Sequence, residues 1–183
     1  MTIADVKKQV YALIEDLDLS QTAFTKDPDY SAKMNYVINI VQNELARIKK
    51  IPSYKTIAVD IDEKDTYSLE DIDANTYQIK MVKGINYEYR ANNTIIKALE
   101  SGNMEVEYFK YPTQITADSL DTTTLDVSVD VADILPIGVA ADLLKSDVSN
   151  NYGRIYEQRY QQMKQELDIR YNLGQIELVG GTI

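Results

Sequence analysis

The chain contains no cysteine and no histidine among its 183 residues. This removes disulfides, thiol nucleophiles, His-dependent triads and every Cys- or His-ligated metal site, so much of catalysis is excluded at the outset. Glycine is scarce as well: the seven glycines are isolated except for Gly180-Gly181, and neither a Walker-type loop nor a G-x-G-x-x-G turn can be written. Basic residues are outnumbered, 19 Lys plus Arg against 29 Asp plus Glu, and the resulting net charge of -10 has the wrong sign for gripping phosphates. Long apolar runs are missing. The opening stretch 1–19 carries acids through its apolar period, so neither a signal peptide nor a membrane span is expected there, and no other window is suited to a bilayer. The aromatic content is lopsided, with 14 Tyr, 2 Phe and no Trp. Tyrosine suits half-buried faces and interfaces, because its ring is apolar while its hydroxyl can stay wet.

What the chain does have is periodicity. Thr2 is placed to cap a helix over about 3–17, with Ile3, Val6, Val10, Leu13, Ile14 and Leu17 at three- and four-residue steps. Asp27-Pro28 reads as a second helix start, and Met34, Val37, Ile38, Val41, Leu45 and Ile48 trace one stripe toward residue 49. Beyond Pro52 the period becomes alternating. Strands are predicted at Lys55–Ile61, Thr76–Lys83, Ile85–Ala91, Thr94–Leu99 and Met104–Tyr111, with turns at Lys83-Gly84 and Ser101-Gly102-Asn103.

A polar loop over 118–124 then leads to the alternating Leu125, Val127, Val129 and Val131. Asp130 or Asp133 caps a third helix with Ile134, Leu135, Val139, Leu143 and Leu144 on its buried face; Pro136 fits only in a first turn, which favours Asp133. Asn150 starts a fourth helix carrying Tyr152, Tyr156, Tyr160, Met163, Leu167 and Tyr171 on one stripe. Gln175 to Ile183 remains as an extended tail with no partner strand apparent in the sequence, of a kind that can pair with another chain's sheet edge.

Together these elements predict an α+β fold in one domain: a bundle of about four helices, two N-terminal (1–52) and two C-terminal (130–172), with an antiparallel β insert (53–129) and an extended C-terminal tail (173–183).

The search for chemistry is mostly negative. Asp71, Asp73 and Asn75 match the first half of an EF-hand loop, but Thr76 replaces the turn glycine and Val82 the terminal acid, so calcium binding through Asp60 to Asp73 is only an alternative reading, as an acidic soluble binding module. With 29 acids some carboxylate pair always lies at a catalytic separation, which makes that signal worthless, and no enzyme activity or cofactor is expected. The sequon Asn92-Asn93-Thr94 reads as a polar connection between strands. The Tyr152, Tyr156, Tyr160, Met163 stripe reads as an inter-helix or inter-subunit seam rather than a base-stacking platform. Charge is unevenly placed. Residues 1–53 carry seven acids and seven bases and residues 149–183 four of each, whereas 54–111 carry eleven against seven and 112–148 seven against Lys145 alone. Asp118, Asp121, Asp126 and Asp130 therefore mark a candidate surface that repels DNA.

The order of segments is similar to a known family. The helix pair ending in Met34-Asn35-Tyr36-Val37-Ile38, the runs Asp65 to Ile72 and Met104 to Thr116, the stretch Val129 to Leu144 and the Tyr-rich helix with Tyr156-Glu157-Gln158-Arg159-Tyr160 resemble the head-to-tail adaptor (connector) proteins of tailed bacteriophages. The resemblance covers nearly the whole chain and lies in residue types rather than in catalytic signatures. It implies a homo-oligomeric ring, usually dodecameric, in the virion neck, assembled in the host cytoplasm. Such a ring docks under the phage portal protein, meets the next neck or tail protein, and lets DNA pass without specific binding and without a membrane. It also implies that the terminal segment, here Gln175, Ile176, Glu177, Leu178 and Val179, is a partner-docking tail.

Overall fold

In the computed structural model, residues 1–14, 28–145 and 151–173 are described. In chain order the elements are α1 (Ile3–Leu13), α2 (Pro28–Ile48), β1 (Ile51–Val59), β2 (Thr66–Ser68), α3 (Leu69–Ile72), β3 (Thr76–Lys83), β4 (Tyr87–Arg90), β5 (Ile95–Ala98), β6 (Gly102–Lys110), α4 (Val129–Ala132), α5 (Leu135–Leu144) and α6 (Asn151–Leu173). They fall into two compact units, a helical unit of 1–49 with 113–183 and a sheet unit of 50–112.

The helical unit is built around α5. Nine of its ten residues are buried, Ala140 and Ala141 as well as Leu135 and Val139, because a helix that is apolar on every side is stable only when neighbours surround it. α1, α2, α4 and α6 all pack against it. α1 begins in a capping box: the Asp5 N–H donates to Thr2 Oγ1 at 3.2 Å and the Thr2 N–H donates to Asp5 Oδ2 at 2.8 Å. Its next amides are met by loop carbonyls, Ile3 N–H to Thr123 at 3.0 Å and Ala4 N–H to Asp121 at 2.9 Å.

The sheet unit holds two three-stranded antiparallel sheets, ordered β1-β6-β3 and β2-β5-β4. β6 is central in the first and pairs with β1 in unbroken register from Ile51↔Lys110 to Val59↔Gly102. Val59, Ile79, Ile96, Met104 and Val106 close the core between them. Lys55 reaches the C-terminal carbonyls of α3 at Asp71 and Ile72, the end where a cation offsets the helix dipole.

The expected bundle of four helices with a single β insert is corrected by this arrangement. The fold is α+β, but its strands form two separate sheets. Its helices cluster about one short buried hub, with only one long helix among the described residues of the N-terminal segment and with α3 and α4 reduced to single turns. The strand region also ends earlier than expected: residues 113–128 belong to the helical unit. The alternation at Leu125, Val127, Val129 and Val131 makes no strand, because among the described residues nothing pairs there beyond an isolated Thr2↔Thr124 bridge, and Val129 opens α4 with 83% of its surface exposed. Neither Asp130 nor Asp133 caps α5. Ser128 precedes α4, Ile134 occupies the N-cap of α5, and Pro136 sits in its first turn as required. The helix expected over 3–17 is described to Leu13, and residues 15–17 lie outside the described residues.

Candidate functional site

The Tyr stripe of α6 divides. Tyr156, Tyr160 and Met163 pack on the helical core, while Tyr152 in the first turn is exposed. The Tyr156 hydroxyl donates to the Leu13 carbonyl at 2.8 Å and the Tyr160 hydroxyl to Glu44 Oε2 at 2.7 Å. Lys164 Nζ donates to Glu44 Oε1 at 2.6 Å, so one carboxylate on α2 receives two donors spaced four residues apart on α6. Burial raises the Tyr160 hydroxyl far above its ordinary pKa and the Glu44 charge adds to this, so the ring keeps its proton and its donor role. Burial alone would also raise Glu44, but the donors from Lys164 and Tyr160 together outweigh it and hold the carboxyl below its usual value.

The Tyr160 ring lies directly on Gly138 of α5. A Cβ at that position would stand 2.6 Å from the ring and 2.7 Å from Val41, so glycine is what lets α2, α5 and α6 approach. The geometry of these three stripe residues is that of a seam between helices of one chain.

Of the four acids expected to repel DNA, Asp121 forms an ion pair with Lys7 at 2.7 Å and Asp130 one with Lys49 at 3.4 Å. Asp118 and Asp126 are exposed. The fold thus brings two lysines from the N-terminal segment to a stretch whose own sequence offers only Lys145, and the local negative charge is smaller than segment counting implies.

The Asp60 to Asp73 stretch is tied up internally. Asp71 accepts from Lys64 Nζ, from the Ser68 N–H at 2.7 Å and from the Ser68 hydroxyl at 2.9 Å, which together lower its pKa to about 2. Asp73 accepts the Asn75 N–H at 2.8 Å, an Asx-type turn. Among the described residues no three acids converge in a way that could hold a metal ion. The tail residues Gln175, Ile176, Glu177, Leu178 and Val179 lie outside the described residues.

Sequence reasoning missed a polar ridge on α2. Asn39 holds both backbone groups of Ile115, donating to its carbonyl and accepting its N–H at 2.9 Å each, a side-chain imitation of strand pairing. The fully buried Gln42 donates to Asn39 Oδ1 at 2.9 Å and to the Thr113 carbonyl at 3.2 Å, and Gln114 donates to Asn43 Oδ1 at 3.2 Å. The available signal was the spacing of Asn35, Asn39 and Asn43, three poor helix formers one turn apart on an otherwise strong helix.

Large apolar side chains also stand outward in pairs: Tyr36 with Ile40 on α2, and Tyr152 with Ile155 on α6, each pair about one helical turn apart. Compared with known protein families and with curated proteins, the chain matches none.

Proposed function

We propose that the chain is a structural subunit of a tailed-phage neck: a head-to-tail adaptor that assembles into a ring under the portal and forms part of the DNA channel between head and tail. The observation that carries this reading is the outward apolar pairs on the two longest helices, Tyr36 with Ile40 and Tyr152 with Ile155, on a chain of net charge -10. Paired apolar side chains on a helix face suit protein contact, and aromatic residues are enriched at the centres of such contacts. The acid excess suits a conduit past which phosphates slide without sticking. In this reading the protein performs docking and no bond-making step. The segment 175–179 is the part that reaches a neighbouring protein, and the assembled subunit resides in the virion neck. The test is negative-stain electron microscopy of the purified full chain. Rings with a central opening are expected; particles of single-chain size would contradict the proposal.

A further inference from the structure

α6 seats on the helical core along a narrow line: among its described positions the buried ones are Gly153, Tyr160 and Leu167, seven residues apart. A second line runs along its outside. Tyr152, Ile155, Arg159, Gln162, Glu166 and Ile169 follow one another at steps of three and four residues, so they share one face, and all six are exposed. Among the described residues, every exposed large apolar side chain of α6 falls on this line, since Tyr152, Ile155 and Ile169 are each more than half exposed. The other exposed flank carries Arg154, Gln158, Gln165 and Asp168, all polar. Recurrence every seven residues is the pattern by which one helix packs along another, and the inner line already uses it.

The charges on the outer line say what fits it. Its ends are apolar and its middle holds one cation, Arg159, and one anion, Glu166. Neither is in an ion pair among the described residues; the Glu166 carboxylate accepts only the amide of Gln162, at 3.1 Å. The midpoint of the line lies between residues 160 and 161. A second α6 laid antiparallel about that point sets Tyr152 opposite Ile169, Ile155 opposite Glu166 and Arg159 opposite Gln162, each twice. Arg159 then stands one turn, about 6 Å along the axis, from the partner subunit's Glu166. A parallel pair would instead set Arg159 against Arg159 and Glu166 against Glu166, an arrangement of like charges.

We infer that two copies of the chain pair antiparallel through the outer face of α6. Apolar ends supply the burial, and the two Arg159–Glu166 pairs set orientation and register. The contact goes beyond the ring reading: it is two-fold and pairs copies, and it neither needs nor supplies the head-to-tail contact that closes a ring.

Because the chain has no cysteine, single-cysteine copies report the contact directly. Gln162→Cys lies beside the two-fold axis and is expected to form a disulfide with its own kind under mild oxidation. Tyr152→Cys and Ile169→Cys each lie about 25 Å from their own counterparts, so each alone stays reduced, while the two mixed and differently tagged give the mixed disulfide. All three positions are exposed, and thermal melting by circular dichroism checks that the fold is kept. Independently of cysteine, Arg159→Glu should weaken pairing about tenfold or more in analytical ultracentrifugation, and Glu166→Arg in the same chain should restore it. Tyr152→Cys joining itself as readily as it joins Ile169→Cys, or a double charge exchange that restores nothing, would overturn the inference. Rings that form with no disulfide at any of these positions would overturn the contact and leave the ring reading standing. The expected disulfides in a preparation without rings would support the contact and contradict the ring reading, and the absence of both would remove both.

Discussion

Ala91 has a φ of 49° at the turn between β4 and β5, followed by Asn92 at 55° and Asn93 at 64°. The two asparagines form the centre of a hairpin turn of the kind that matches strand twist, closed by the Thr94 N–H and hydroxyl on the Ala91 carbonyl at 3.3 and 2.7 Å. Asparagine tolerates the left-handed region; a Cβ on alanine costs about 1 kcal/mol there. Ala91→Gly is therefore expected to raise stability by up to about 1 kcal/mol, read from the midpoint of urea denaturation with the slope unchanged. Gly84, at φ +92°, is the opposite case: a Cβ would stand 2.2 Å from the Asn103 carbonyl oxygen, so glycine is required. Asp71 gives a pH prediction. Its pKa falls from 3.8 unfolded to about 2 folded, so its contribution to stability is present above 3.8 and is lost as pH drops toward 2. Thermal melting across that window should show Asp71→Asn with a flatter acid limb than the unsubstituted chain. The side chain is a third exposed, so solvent screening keeps the difference small.

At the scale of elements, α5 sets the helical unit and Gly138 is its tightest point. Gly138→Ala must displace either the Tyr160 ring or Val41, both buried, and overpacking of this kind costs about 1–3 kcal/mol. The same urea measurement checks it, and a neutral result would mean that α6 does not seat on α5 as described. Where the chain has one dominant period, its elements were legible: the stripe Met34 to Ile48 and the alternation at Thr76 to Lys83 lead to α2 and β3 at nearly their observed bounds. α5 was legible as a helix but not as a hub, because a single apolar face was read where Ile137, Ala140 and Ala141 bury the remaining sides. The alternation from Leu125 to Val131 misled, since period alone says nothing about whether a partner strand lies alongside. β2 and α3 are three and four residues long, too short for any period to register. The stripe of α6 was legible, yet which residues Tyr156 and Tyr160 would meet was not, because Leu13 and Glu44 are more than a hundred positions away.

For the whole molecule, the charge argument is altered by the fold. Segment counting placed the acid excess in 54–148, and the structure returns Lys7 and Lys49 to Asp121 and Asp130 without changing the net charge of -10. What the sequence offered toward function was largely its absences, a resemblance in segment order, and a terminal segment with no partner strand apparent in the sequence. The outward apolar pairs were invisible until the helices had been placed. In the proposed reading these pairs are used where chains meet. The central claim is accordingly assembly, and the most direct test is native mass spectrometry of the full chain across a range of concentrations. The account predicts a closed multimer of about a dozen chains of 20.8 kDa each, with no open series of intermediate sizes. A mass of one chain at every concentration, or an unbroken ladder of sizes with no closed species, would contradict it.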